Sequence, residues 1–438
     1  MGKARADMAV LFSPAPDVAT ILKHLLDIYE RRDGAPKQVV KVRLDELADH
    51  LPGYHSQVDP LPRLTSNEQL SQLAQLQWLR LTWQPGQTGH LLEAVALEPA
   101  YVDPLYTLLE RQPLAEQRRR LREQLLGERF RLDGWRRRAV DDCLAQLQAH
   151  KSPAPFSLTQ IDWNQDLLTI LAALPSGVTT AEQPYRVFSV RLFNDSKRFE
   201  LFKDSVARLA RQHQPAWRTL SPQEVLHELG LVANPSHLYL AGPWQMLDGQ
   251  GQVVSLDNFY PAVGIPAALA AQAQRVRVSA ARVVCVENLA SFYELIRYEG
   301  TGLAALCLWG NPSPVTRHLL TCLAQELPES VPLLLWADLD YGGLNILAHL
   351  RQHISPRFRP YRMDSFTLSD HAYWAKPLSP GDARNLARLR RHPALADMIP
   401  LIDQMLRQEI KLEQEAIILG QGEQHLLKDN LVDDLIRV

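Results

Sequence analysis

Two acids one residue apart, Asp338 and Asp340, close the apolar run in "LLLWADLDYGGLNILAHL". A third acid, Glu287, closes an earlier run, "RVVCVEN". Burying an unpaired carboxylate at the end of a strand is costly. One explanation is helix capping, in which an acid accepts a backbone N–H of the helix that follows. The other is a binding site. Three carboxylates facing one crevice repel one another and raise their pKa values unless a cation neutralises them. A ligand set made only of oxygen favours Mg²⁺ or Mn²⁺ over zinc. Gly342 and Gly343 would let backbone and water approach closely. The D-x-D pair alone serves either explanation. Glu287, together with Gly310 at the end of the intervening run, turns the balance towards a hard-cation site.

Such a site needs a sheet to position it. From residue 280 onward, short apolar strands alternate with helical patterns. "RVVCVEN" is followed by the helix "ASFYELIRYEG", ending at Gly300, and "LAALCLWG" by "SPVTRHLLTCLAQEL" with its Ser-Pro start. "VPLLLWADLD" is followed by "GLNILAHLRQH". Apolar strands alternating with helices predict a parallel sheet covered on both faces. Ligands of such sheets bind beyond the carboxyl ends of the strands, where Glu287, Asp338 and Asp340 would lie.

Upstream, "PDVATILKHLLDIYERRDG" has helical spacing, and "VRLDELADHLPGY" reads as a short strand and helix. A helix capped by Thr65 or Ser66, with Glu68 in its first turn, follows. "WLRLTW", a Pro-Gly turn and "HLLEAVAL" predict a hairpin. Helix, helix, hairpin is the outline of a winged helix. Residues 101–150 read as helical and carry Arg118, Arg119, Arg120, Arg122, Arg129, Arg131, Arg136, Arg137 and Arg138. Interspersed acids suit a solvated helical surface; a phosphate-facing arm is the functional alternative. "HKSPAPFSL" is a linker. "YRVFSVRLFNDSKRFELFKDSVARLARQ" predicts a strand, a polar turn and an amphipathic helix. Ser221 is a plausible cap with Pro222 at the first helical position, and "HLYLAG" and "VVSL" are short strands.

The chain has 438 residues, 46% hydrophobic and 22% charged, with a net charge of −2. That describes a globular protein of roughly two to four domains. It excludes a chain that is basic throughout, so any nucleic-acid surface is a local patch. Arg outnumbers Lys, which fits either coding bias or phosphate contact. Cys143, Cys285, Cys307 and Cys322 form no C-x-x-C pair, which argues against a zinc site or disulfide framework. The start has too short an apolar core for a secretory signal, and Ala6 breaks the myristoylation pattern. No apolar run approaches the ~20 residues of a membrane span. These points together predict a cytoplasmic protein.

"VCVEN", "LWGN" and "WADLDYGG" together resemble the Toprim fold of topoisomerases, primases and related nucleases. The resemblance is closer to the JetD (MksG) family of Wadjet anti-plasmid nuclease subunits, which is related to the topoisomerase VI A subunit. It rests on "FNDSKRFE", "VLHELGLVANPSHLYLAGP", "VENLASFYEL", "WADLDYGGLNIL", "RMDSFTLSDH" and "KLEQEAI", within about 181–417. The first 180 residues match only loosely.

The resemblance implies a multidomain α/β chain: a winged-helix-like domain at 1–100, an Arg-rich helical arm and linker at 101–180, a CAP-like winged-helix domain at 181–275 and a Rossmann-like Toprim domain at 276–438. It implies that Glu287, Asp338 and Asp340 form the catalytic centre, the aspartates ligating Mg²⁺ or Mn²⁺ and Glu287 acting as ligand or general base. Glu413 and Glu415 in "LEQE" are either further ligands or a helix surface. Asp364 and His371 fall in another matching stretch, where the His is either structural or a phosphate donor. Ser196, Lys197 and Arg198 are either DNA contacts or an ordinary helix start.

The implied activity is hydrolytic cleavage of plasmid or circular double-stranded DNA. The implied partners are an SMC-like ATPase, a kleisin and accessory subunits, together with a second copy of the chain. The sequence has no G-x-x-x-x-G-K-[ST] loop, so ATP would be used by the partner. Topoisomerase VI-type enzymes cleave through a tyrosine. Tyr185, Tyr239 and Tyr260 stand in the corresponding part here, none in a nucleophile-like stretch, and core packing is the expected role of all three. A topoisomerase VI-like transesterase and a non-catalytic DNA-binding scaffold are the competing readings.

Overall fold

A computed structural model describes residues 12–32, 39–299 and 302–418. The first eleven residues, read for targeting signals, lie outside the described residues, as do Gly34 and Gly300, the expected helix stops. The chain divides into two compact units: 1–131 with 140–168, and 132–139 with 169–438.

In the first unit, helix Pro16–Arg31 buries Val18, Ile21, Leu22, Leu25 and Leu26, the spacing of one helical face. That face belongs to a core shared with strands β1 (Val40–Arg43), β2 (Leu79–Trp83) and β3 (Leu92–Leu97). The strands form an antiparallel sheet of order β1-β3-β2, in which Leu97 pairs with both Val40 and Leu79. The hairpin is where the sequence places it. The second helix is not: it runs from Leu61 to Gln75 with Pro62 in its first turn, and no side chain caps it. Asp59 accepts the Leu61 N–H at 2.9 Å, so the start is set before Thr65, and Ser66 is buried within the helix. The helix expected in "VRLDELADHLPGY" is reduced to a 3-10 turn, Ala48–His50.

Residues 101–150 are helical, as expected, over Val102–Leu108, Leu114–Arg129 and Gly134–Gln148. Much of the arginine series pairs with groups of the chain itself, mostly at the surface. Arg119 bridges Glu116 and Glu123, Arg129 pairs with Asp141, and Arg131 pairs with Glu128. Arg136 is buried and donates to the carbonyls of Leu171 and Leu174. Arg138 donates to the carbonyl of His213 at 2.8 Å.

In the second unit, "YRVFSVRLF" is helix Tyr185–Phe193, not the expected strand. Its β-branched and aromatic residues suggest a strand, but tertiary packing overrides that preference. Phe188 and Ser189 turn inward, the Ser189 hydroxyl accepts the Phe199 N–H at 2.9 Å, and Asn194 closes the helix in the left-handed region at φ 54°. The polar turn and helix Lys203–His213 follow. Ser221 caps helix Pro222–Glu228 in a reciprocal capping box with Glu224.

The remaining strands, in order, are β4 (Gln183–Pro184), β5 (Leu231–Val232), β6 (His237–Ala241), β7 (Trp244–Asp248), β8 (Val253–Ser255), β9 (Val263–Pro266), β10 (Ala273–Val278), β11 (Arg282–Val286), β12 (Leu303–Cys307), β13 (Leu333–Trp336), β14 (Phe358–Pro360), β15 (Lys376–Pro377) and β16 (Ile410–Lys411). The main sheet has the order β14-β13-β11-β12-β6-β9. β11–β14 run parallel, whereas β6 is antiparallel to β12 and β9 to β6. The sheet thus spans residues on both sides of position 275. Nearly every residue of β11, β12 and β13 is buried, the pattern of strands covered on both faces. Each buried Val or Leu contributes about 1.5–3 kcal/mol. The chain passes from β11 to β12 on one side and returns to β13 on the other. A crevice therefore opens between the carboxyl ends of β11 and β13.

Candidate active site at the strand ends

Glu287 follows β11 and Asp338 follows β13 by two residues. Val286 and Trp336 are paired in register, and the Glu287 N–H donates to the Trp336 carbonyl at 2.9 Å. The two acids therefore leave neighbouring parallel strands at one level. The Asp338 N–H donates to Glu287 Oε2 at 3.1 Å, tying them directly.

Asp340 is the N-cap of helix Tyr341–His353, accepting the Gly343 N–H on Oδ1 at 2.9 Å. The capping explanation thus holds for this one acid, without removing it from the crevice mouth. Gly343 is needed sterically, because a Cβ there would lie 2.1 Å from the Asp338 carbonyl oxygen.

A segment 70 residues further on completes the arrangement. Leu339 and Leu412 exchange backbone hydrogen bonds of 2.8 and 3.1 Å, laying "LEQE" beside the acids. Gln414, with no exposed surface, is the residue that sequence reasoning missed. Its N–H donates to Asp338 Oδ1 at 2.8 Å, its side-chain amide donates to the Trp336 carbonyl at 3.0 Å, and its Oε1 accepts the Asn288 N–H at 3.1 Å. Asn288 also reaches Asp338 Oδ1 at 3.4 Å. Gln414 stands between two glutamates in "KLEQEAI", so no local signal marks it as buried; its partners do, because a buried amide requires them.

The electrostatics follow from burial and crowding. Burial, then the charge of Asp338, pushes the Glu287 carboxyl up from 4.5 to about 7, with Asp340 and Glu415 adding to it. Burial raises Asp338 from 3.8 to about 6, opposed by the Gln414 N–H and reinforced by Asp340, Glu415 and Glu413. Glu415 is exposed and acts on both acids. Glu413 is tied to Lys376 at 2.6 Å.

Among the described residues, no group of three or more His, Cys, Asp or Glu side chains is arranged as it stands to hold a metal ion. Each of the three acids has turned one oxygen onto a backbone N–H. The donor set nevertheless fits a hard cation. It is all oxygen, it is partly buried, and its mutual repulsion would be relieved by positive charge.

The other candidates lie elsewhere. Asp364 caps helix Ser365–Asp370 through the Thr367 N–H at 2.8 Å, and His371 contacts the Thr367 carbonyl at 3.0 Å. Ser196, Lys197 and Arg198 form the turn after Asn194, where Asp195 accepts the Lys197 N–H and Arg198 lies over the Phe202 ring. Tyr185 packs on Phe199 and Tyr239 on Trp309. Tyr260 is 93% exposed, so core packing does not account for it. All four cysteines are buried and free, and among the described residues no helix is long and apolar enough to cross a membrane.

Two comparisons bear on this geometry. Residues 250–426, which include all five candidate acids, match the family described as Wadjet protein JetD, C-terminal. Over 366 residues the chain is 22% identical to the Wadjet protein JetD of Bacillus cereus (strain Q1), covering 83% of this chain and 88% of that protein.

Proposed function

We propose, from the premise that the chain belongs to the Wadjet protein JetD family, that it is the nuclease of a Wadjet system, a metal-dependent endonuclease that hydrolyses plasmid or other circular double-stranded DNA. One observation carries the reading. Glu287 and Asp338 leave adjacent parallel strands at the switch point of the sheet, and burial and like charge push both carboxyls towards neutrality. The parallel strands β11–β14 are read as a Toprim domain, the elements of the first unit as a winged helix, and 181–275 as a CAP-like domain whose β6 and β9 extend the same sheet.

Glu287, Asp338 and Asp340 are the residues to hold Mg²⁺ or Mn²⁺, with Glu415 better placed than Glu413 as a further ligand. The cation, when bound, supplies charge neutralisation at the phosphodiester and acidifies water. Asp338 is fixed by Gln414 and Asn288, so its free oxygen is held in place rather than swinging. The Asp338 N–H holds Glu287 Oε2, which leaves the other carboxylate oxygen of Glu287 to ligate or to accept the proton of the attacking water. As the water oxygen bonds to phosphorus, the bond from phosphorus to the leaving sugar oxygen breaks. Partners of this reading are an SMC-like ATPase with kleisin and accessory subunits, which would deliver the DNA, and a second copy of the chain to cut the opposite strand.

The exposure of Tyr260 favours one alternative, a transesterase that joins DNA to tyrosine. Cleavage reactions stopped with denaturant decide between the two. Hydrolysis leaves DNA ends free of protein in the wild type and in Tyr260→Phe. A covalent adduct that disappears with Tyr260→Phe would overturn hydrolysis.

A further inference from the structure

A cavity of about 420 Å³ lies beside β12, on the opposite side from β13, among His227, His237, Tyr239, Trp309, Asn311 and Ser313. The acids do not line it, and the cleavage reading gives it no task. It opens at the same sheet edge as they do. The Leu308 N–H donates to the Val286 carbonyl at 2.8 Å and the Gly310 N–H to the Glu287 carbonyl at 3.2 Å. Trp309 therefore hangs between two main-chain ties to the strand end that carries Glu287.

Trp309 departs from ordinary protein chemistry twice. Its φ of +59° lies in the left-handed region, which a bulky residue rarely adopts. Its indole is also 58% exposed, in contact on one side with Tyr239 at 5.9 Å between ring centroids. A strained backbone that presents a large ring to solvent points to a task outside folding. In the same cavity, the Oδ1 of Asn311 is buried without a partner. An amide offers both an acceptor and donors, as the edge of a nucleobase requires.

We infer that this cavity is a subsite for one unpaired nucleobase, which stacks on Trp309 and hydrogen-bonds to Asn311 while its strand crosses the acids. The inference rests on the nuclease reading and adds a requirement to it: the DNA is locally unpaired beside the cut. The volume falls at the small end of the ~300–1,000 Å³ typical of ligand pockets, which suits one nucleotide and not a base pair. Aromatic stacking is tolerant of base identity, so the subsite would select unpaired DNA without selecting sequence.

The test uses the full chain in metal-free buffer and two DNA probes, a duplex with a single unpaired 2-aminopurine and its fully paired counterpart. The wild type is expected to bind the unpaired probe about ten-fold more tightly, the scale of one stacked base, and to quench its fluorescence. In Trp309→Gly, which relieves the positive φ, the ratio of affinities falls to near one and quenching is lost. Trp309→Phe keeps a ring and retains most of both, and so separates stacking from damage to the fold. A preference that persists in Trp309→Gly, or a wild type that binds both probes equally, overturns the subsite and leaves the nuclease reading standing. A wild type that binds neither probe likewise overturns the subsite, whereas the nuclease reading falls only if plasmid is not cut with Mg²⁺ or Mn²⁺ and the partner complex.

Discussion

Replacing Glu287 with Gln separates the electrostatic cost of the site from its chemistry. The carboxyl rises from 4.5 to about 7 on folding, mainly because burial disfavours its charge. Between those values it is protonated in the folded protein and ionised in the unfolded chain. The folded state then holds the extra proton, so the stabilisation is present at low pH and is lost as pH rises through about 7. At about 1.4 kcal/mol per pH unit, the full rise corresponds to roughly 3 kcal/mol. Asp338 shares the same crowding, so roughly 1–3 kcal/mol is the expected effect of removing this one charge. Gln is isosteric, and its Oε1 can still accept the Asp338 N–H. Metal-free Glu287→Gln is therefore expected to be more stable than the wild type at pH 8. The thermal midpoint of the second unit should rise by about 2–5 °C, and the gain should shrink to roughly a quarter near pH 5. Thermal melts in a chelator at both pH values read this directly. A variant less stable than the wild type at pH 8, or a gain that is the same at pH 5, would refute a buried, crowded carboxylate at this position.

Three further outcomes follow from the same geometry. Asp340→Asn should melt within about 0.5 kcal/mol of the wild type, because Asn caps as well as Asp, yet lose cleavage; Asp340→Ala should cost about 1 kcal/mol as well. Gln414→Leu should destabilise the unit by about 1–3 kcal/mol in urea unfolding, since it strands the Asn288 N–H in the interior and leaves the Trp336 carbonyl only its bond from the Glu287 N–H. Calorimetric titration should show it binding Mn²⁺ roughly 10-fold more weakly than the wild type, because the side-chain amide that anchors the Gln414 main chain, whose N–H holds Asp338 Oδ1, is lost. Mg²⁺ or Mn²⁺ should raise the melting midpoint of the wild type at pH 8, where the acids are ionised, and should do so far less in Asp338→Asn.

The strands that carry the acids were legible because they are short, apolar and end abruptly in charge: "VVCV" before Glu287 and "LLLWA" before Asp338. A strand buried on both faces has few other ways to be written. Their adjacency was not legible, since local pattern does not state that β13 returns beside β11 rather than beyond β12. Gln414 was hidden for a related reason: its partners Asn288 and Trp336 lie 126 and 78 residues away. The helix at Tyr185–Phe193 was misread because its composition favours a strand, while its true signal, a buried Ser189 and a left-handed Asn194, is positional. β6 reads as a strand and β9 does not, and their place at the edge of the main sheet depends on antiparallel pairing of β6 to β12 and of β9 to β6, which is non-local.

The central claim is that Asp338 belongs to a metal-dependent centre that cuts DNA. Its most direct measurement is the cleavage of circular plasmid by the wild type and by Asp338→Ala, each with Mg²⁺ or Mn²⁺ and the purified partner complex. The wild type is expected to cut, and cutting is expected to be abolished by chelator and by Asp338→Ala in a protein that still folds. Undiminished cutting by Asp338→Ala would contradict it.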